Sequence, residues 1–339
     1  MKKIISLICM VLILPSFFGC EVNNGNSNKA TPVPQSLEIK DYFPIKVNTR
    51  YVYEGTGNEY ASFNIFNDYT SDTKVQQRVD NGGTIMAKVV ELKDGKLTRL
   101  FSRGEAYYRE NLLENKGDED EILLMEPLAK GNTWTLKDSR IRTITGISVD
   151  VTTPLAKYNA IEITTESQKD KTIDYYAKNV GLVKSVFISG GNEITSSLSK
   201  IEENVSFTQK INFYYPNPNN DKLNSTSKDI SFKTNDITRK VLEVAYKEIV
   251  NNNNSKVFTT NTKINSLYLN KDNMVYIDLN SAFSTELNAG ALYEGLILQS
   301  IANTFGHYYN SQRVVLTIDN NLYQSGHIAM EKGQFIKVN

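Results

Sequence analysis

Cysteine is nearly absent from this chain of 339 residues: the two that occur, Cys9 and Cys20, both lie close to the amino terminus. Beyond position 20 the sequence therefore offers no disulfide, no thiol nucleophile and no thiolate metal site, and the fold must be held by its apolar core. Histidine is almost as scarce, with His307 and His327 alone. A histidine-based zinc site usually draws on about three protein ligands, so no metal and no cofactor are expected. No excess of charge exists either, since Lys and Arg number 38 and Asp and Glu 38. Such a balance gives nucleic acid no long-range attraction. The strings HExxH, GxSxG and Walker A are missing, and no apolar run reaches the length of about 20 residues needed to span a bilayer.

What is present starts with Met1-Lys2-Lys3, an apolar run from Ile4 to Leu14, and Pro15 to Cys20. That is the order of charged region, hydrophobic region and cleavage site in an export signal, here expected over residues 1–19. Gly19 before Cys20 resembles the lipobox of bacterial lipoproteins, although Phe17 and Phe18 stand where such boxes usually carry Leu and a small residue. The resemblance implies a lipid on Cys20 and an anchor on the outer face of the cytoplasmic membrane. Ordinary secretion and an uncleaved anchor are the other readings. Residues 20–40 are expected to be the lipidated cysteine and a flexible tether; Glu21 to Gln35 is polar, with Gly, Ser and two prolines, and its r.m.s. reach is roughly 20 Å.

Residues 41–203 read as an antiparallel, strongly curved β domain. Strands are expected at Arg50 to Glu54, Thr84 to Leu92, Thr98 to Phe101, Tyr158 to Thr165, Thr172 to Ala177 and Leu182 to Ile188. Asn81-Gly82-Gly83, Asp94-Gly95 and Ser189 to Asn192 supply the positive-φ residues that hairpins need. Together with Asp41 to Pro44, Gly131 to Trp134 and Tyr175 to Lys184, this resembles a β-rich domain common in secreted bacterial proteins, which implies a shape and no activity.

Residues 206–339 mix strands with two helices and predict a two-layer α+β domain. A strand from Gln209 to Tyr215 and another over Leu223 to Phe232 precede a helix capped by Thr234 or Asn235. Its spacing sets Ile237, Val241, Val244, Ala245 and Ile249 on one face, and Asn251 to Asn254 stop it. A hairpin turns at Asn270 to Asn273. A second helix buries Ile297, Leu298, Ile301 and Phe305 and is expected to end at Gly306 as a C′ residue.

This second region resembles the GerMN domain of bacterial sporulation and spore-germination lipoproteins. The resemblance rests on Tyr214-Tyr215-Pro216, Val275 to Asn280 with Ala282-Phe283, Ser300 to Phe305, Val314 to Asp319, and Ser325-Gly326-His327. Asn320 stands where the family commonly has Gly, and Asn tolerates the same left-handed backbone. The resemblance implies a non-catalytic protein that docks or assembles with other envelope or sporulation proteins, or with its own copies, in sporulation, germination or wall remodelling; peptidoglycan is a further candidate partner.

Few residues suggest chemistry. His307 suits the negative end of a helix dipole and His327 a polar loop. Asp118 to Glu121 reads as a solvated acidic turn, without the alternation of a calcium loop. Ser325 near His327 reads as a turn. Asn303 and Thr304 either satisfy backbone groups near the helix end or, with Ser325 and His327, mark an interaction surface. The paired tyrosines at 107–108, 175–176, 214–215 and 308–309 would set one ring of each pair inward if strands carry them. Two other functions stay open: a lipid- or glycan-binding β domain, which needs a concavity, and a cell-wall hydrolase, which needs two carboxylates at catalytic separation or a metal triad.

Overall fold

The computed structural model describes residues 37–339 except 116, 118, 218 and 253–256. The expected export signal, Cys20 and most of the tether lie outside the described residues. The described residues belong to one compact unit.

After a one-turn helix, α1 (Ile39–Tyr42), the chain lays down twelve antiparallel strands. They are β1 (Arg50–Thr56), β2 (Phe63–Thr70), β3 (Lys74–Asp80), β4 (Ile85–Lys93), β5 (Lys96–Arg103), β6 (Glu121–Met125), β7 (Thr133–Thr135), β8 (Ile141–Thr152), β9 (Lys157–Glu166), β10 (Asp170–Ala177), β11 (Gly181–Ser189) and β12 (Asn192–Glu202). The expected hairpins form where φ turns positive, at Gly82, at Asp94-Gly95 and at Gly190-Gly191. The strands run in order within two meanders, β1 to β6 and β7 to β12, joined by pairing of β1 with β12. The outer edges of the meanders also meet through side chains: Trp134 Nε1 and Arg142 Nη1 both donate to the Ile122 carbonyl, at 3.1 and 2.6 Å. The sheet thus curls around an interior. Part of that interior is packed by Ile39, Tyr42, Leu97, Leu124, Trp134 and Ile163.

The second region starts with a two-stranded ribbon, β13 (Phe207–Pro216) and β14 (Leu223–Phe232). Then come α2 (Thr238–Asn252), β15 (Ile264–Leu269), β16 (Val275–Leu279), a short α3 (Ala282–Thr285), α4 (Ala291–Tyr309), β17 (Arg313–Ile318), β18 (Asn321–Leu322) and β19 (Ile336–Lys337). The sheet order is β15-β16-β17-β18, with β16 and β17 parallel and β19 also paired to β17. The ribbon packs across α4 from the sheet, so the helix is buried on two sides: Thr304 Oγ1 accepts the Tyr214 N–H at 2.9 Å, and Tyr246 Oη of α2 donates to the Tyr214 carbonyl at 2.6 Å.

Three local expectations are corrected. Gly306 does not end α4, which continues to Tyr309 and closes on Asn310 in the left-handed region (φ 54°). Glycine is needed at 306 for another reason: a Cβ there would sit 2.2 Å from Cγ2 of Val338, the residue after β19. Thr234 and Asn235 do not cap α2; their side chains bind β2 and the turn before β1 instead, Thr234 Oγ1 accepting from Asn48 N and donating to the Asn67 carbonyl, both at 2.7 Å, and Asn235 Oδ1 accepting from Thr70 N at 2.8 Å. Ile237 and Val244 are exposed, and Leu242, Ala245 and Tyr246 take the inner face. Asn320 does adopt the left-handed conformation, φ 64°, beside Asp319 at 46°.

Candidate functional site

Inside the curled sheet lies a cavity of about 470 Å³. Alternation builds its walls. In the register of β2, β3 and β4, Asn67 faces Gln77 and Gln77 faces Lys88, making one polar row. Apolar rows flank it: Ile65, Val79 and Met86 on one side, Val75 and Val90 on the other. All eight side chains line the cavity, and Tyr51, Tyr53, Phe63 and Tyr176 enclose it further. Tyr53 Oη donates to the Leu182 carbonyl at 2.8 Å.

Its charged groups differ in how they are satisfied. Glu121 accepts from Arg142 Nη2 at 2.8 Å through Oε1 and pairs with Arg99 through Oε2. Burial alone would raise this carboxyl, but the two guanidiniums outweigh it and hold it below the usual range. Arg99 also binds Glu119 at 2.7 Å, and Arg140 binds Asp138 at 2.7 Å. Asp174 accepts from Ser185 Oγ at 2.6 Å, yet burial pushes its carboxyl up. Burial pushes Tyr51 up to about 12. Lys88 is depressed by burial first and by Arg99 next. Among the described residues its ammonium has no hydrogen bond or ion pair. Of the acidic stretch, Asp118 lies outside the described residues, Asp120 is exposed and meets Lys137 at 2.7 Å, and Glu119 and Glu121 pair with the arginines above.

The outer face of β2 and β3 carries a second charged cluster, against the C-terminal region. Arg109, in the segment after β5, is fully buried. Its N–H donates to Tyr308 Oη at 3.0 Å; its guanidinium donates to Tyr69 Oη at 2.8 Å, Thr238 Oγ1 at 3.1 Å, the carbonyls of Asp68 (2.8 Å) and Lys233 (3.0 Å), and the carbonyl of Asp236. Arg78 Nε binds Asp68 Oδ2 at 2.8 Å, and its guanidinium lies 4.6 Å above the Phe207 ring. One loop arginine therefore ties strand β2 to both α2 and α4.

The residues named from sequence fall elsewhere. Asn303 and Thr304 are buried, so neither presents a side chain to a partner. Asn303 Oδ1 accepts from Gln299 Nε2 at 2.7 Å and from Asn339 N at 3.0 Å, and Thr304 serves Tyr214 as above. Ser325 Oγ donates to the buried Glu294 carboxylate at 2.6 Å, which also accepts from Tyr323 Oη at 2.8 Å; Ser325 Oγ in turn accepts the N–H of His327 at 3.0 Å, a turn contact. His327 is exposed. His307 stacks on Tyr214 with ring centres 5.3 Å apart and contacts the Asn339 carbonyl at 3.2 Å. Tyr308 and Tyr309 are both buried, because a helix rather than a strand carries them. No group of three His, Cys, Asp or Glu suited to a metal occurs among the described residues. Sequence reasoning missed Lys88 and Arg109; the visible signal for the first was a lone charge inside the apolar run Ile85 to Val90.

Comparison with known proteins locates the C-terminal region. Residues 212–324 match the model of the Germane family, described as sporulation and spore germination. No curated protein matches the chain. Among solved structures, the tandem GerMN domains of the sporulation protein GerM from Bacillus subtilis share 18% identity at a TM-score of 0.30, over 38% of this chain and 46% of that one. An exported protein with a YmcC-like fold from Bacteroides fragilis, so described, shares 14% identity at a TM-score of 0.30, over 48% of this chain and 98% of that one. A Clostridium perfringens chain described as a lipoprotein shares 14% at a TM-score of 0.23, over 39% and 87%. The chain thus carries, across residues 212–324, a domain of the Germane sporulation and spore-germination family.

Proposed function

We propose that this is an exported, envelope-associated protein of sporulation or spore germination, held at the outer face of the cytoplasmic membrane by a lipid on Cys20. It works by docking other envelope proteins or its own copies, not by catalysis. The observation that carries this reading is the family match over residues 212–324.

The surface of that segment suits docking. Val275, Ile277, Leu279, Val314 and Leu316 turn one face of the sheet to the core. On the opposite face Tyr268, Tyr276 and Val315 form a row across β15, β16 and β17. The two tyrosine rings stack at 5.6 Å, and Tyr268 is 45% exposed. Strand β15 pairs with β16 alone among the described residues, but its outer side is taken by the helices: Ile264 N donates to Glu243 Oε2 at 2.8 Å, Arg239 Nη1 to the Ile264 carbonyl at 2.8 Å and Tyr309 Oη to the Leu267 carbonyl at 3.4 Å, so it is the tyrosine face and not the edge that is open to a partner.

The test is the yield of heat-resistant spores from the source strain lacking the gene, complemented with the full chain or with the full chain carrying Tyr268→Ser and Tyr276→Ser. A loss restored by the first and not by the second supports docking through this face. An unchanged yield on deletion removes the protein from sporulation.

A further inference from the structure

The interior of the twelve-stranded sheet points to a ligand that the docking reading does not require, and the argument rests on a different part of the chain. A cavity of about 470 Å³ falls within the roughly 300–1,000 Å³ typical of small-molecule sites. Its walls are aliphatic and aromatic over two full rows and both tyrosines of β1. A glycan, carrying hydroxyls all around, would lose hydrogen bonds to water against those rows without replacing them. A chain of methylenes loses nothing there and gains by leaving water.

The polar groups are selective in the same direction. Glu121, Arg99, Arg140, Arg142 and Asp174 are each engaged by a neighbour within the protein. Lys88 is the one charged cavity-lining group without such a partner among the described residues. A half-buried ammonium with no direct ion pair is disfavoured by burial, and an anion brought in by a ligand would offset that. Arg99 acts on Lys88 in the same sense as burial, while the carboxylates of Glu121, Glu119 and Asp174 act against it from a distance without bonding the ammonium.

We propose that this cavity binds an unbranched aliphatic chain ending in one anionic group, with the Lys88 ammonium pairing with the head and the Ile65-Val79-Met86 and Val75-Val90 rows enclosing the tail. The head can belong to a free fatty acid or to a phospholipid.

The experiment uses the full chain carrying Cys20→Ser, so that no attached lipid competes. Hexadecanoate and hexadecan-1-ol are titrated calorimetrically, and extraction of lipid from phosphatidylglycerol vesicles is measured in parallel. Hexadecanoate is expected to bind one per chain and at least roughly tenfold tighter than the alcohol, as a hydrogen bond to a charged group implies. Lys88→Met should remove that preference while leaving the alcohol's affinity unchanged. Val79→Trp, which fills the cavity without touching Lys88, should abolish binding of both and serves if Lys88→Met fails to fold. Extraction from vesicles with the same Lys88 dependence would identify a phospholipid as the source, and binding of hexadecanoate alone a free acid. Failure of both probes, equal affinity for acid and alcohol, or binding indifferent to both substitutions would overturn the proposal, whatever the outcome of the spore assay.

Discussion

The guanidinium of Arg109 lies 3.4 Å from the carboxylate of Asp68, and both side chains are completely inaccessible to solvent. Burial of two charges is tolerated because the pair is surrounded by donors and acceptors from β2, β3 and the segment from Lys233 to Thr238, with the Tyr69 ring 4.1 Å beneath the cation. The pair thereby makes the orientation of α2 and α4 against β2 a property of the fold.

Arg109→Met should destabilise the protein by about 3–5 kcal/mol, the range for breaking a buried ion pair by removing one partner. Because Asp68 and Arg78 remain while the contacts to α2 are lost, urea unfolding followed by tryptophan fluorescence and by far-ultraviolet circular dichroism should no longer coincide. Trp134 lies in the large sheet and reports that part alone. A single shared transition at unchanged midpoint would show that the pair contributes nothing to holding the two regions together.

Gly306→Ala should cost about 1–3 kcal/mol through overpacking against Val338. Val338→Ala in the same chain should recover most of it, giving a favourable coupling in a double-mutant cycle on thermal unfolding. Additive effects would mean that the segment carrying Val338 simply moves away.

Asp174→Asn should stabilise the protein at pH 7. The folded-state pKa of Asp174 is raised by burial, so the folded protein binds its proton more readily than the unfolded chain, and stability falls as pH rises from the unfolded value through the folded one. The amide removes the buried charge and keeps an acceptor for Ser185. Thermal midpoints of the two proteins should differ at pH 7 and converge below about pH 3.9, where the unfolded carboxyl is also protonated. Glu121 carries the opposite sign: its lowered pKa gives stability that is present above the unfolded value and lost as pH falls through the folded one. Acid unfolding should therefore be less steep in Glu121→Gln.

Lys88→Met should stabilise the ligand-free protein by on the order of 1 kcal/mol and so raise its thermal midpoint, because a charge disfavoured by burial is replaced by an apolar chain of similar length. A fall in midpoint would show that the ammonium has a stabilising role within the protein itself.

Local order was legible where chemistry acts over a few residues. Gly82, Asp94-Gly95 and Gly190-Gly191 announced their hairpins because few other residues adopt positive φ cheaply, and Asn320 kept the turn after β17 for the same reason. The alternation of β4 was visible, but not that its second face, with Ala87 and Val89, is buried beneath the segment containing Ala106 and Leu112. Expectation failed where a residue's role depends on a distant neighbour. Thr234 and Asn235 have the side chains of helix caps and use them on Asn48 and Thr70. Gly306 has the mark of a helix stop, yet its missing Cβ admits Val338.

By itself the sequence determined the order of β strands before mixed elements, the turns between neighbouring strands, and the family of residues 212–324, since periodicity, positive-φ residues and motif order are written in short stretches of chain. Only the tertiary structure decided that β1 closes on β12, that Lys88 and Asp174 line one cavity, and that Arg109 is buried between the large sheet and two helices. Those outcomes depend on which surfaces meet when strands some 150 positions apart pair, and no local propensity encodes that meeting.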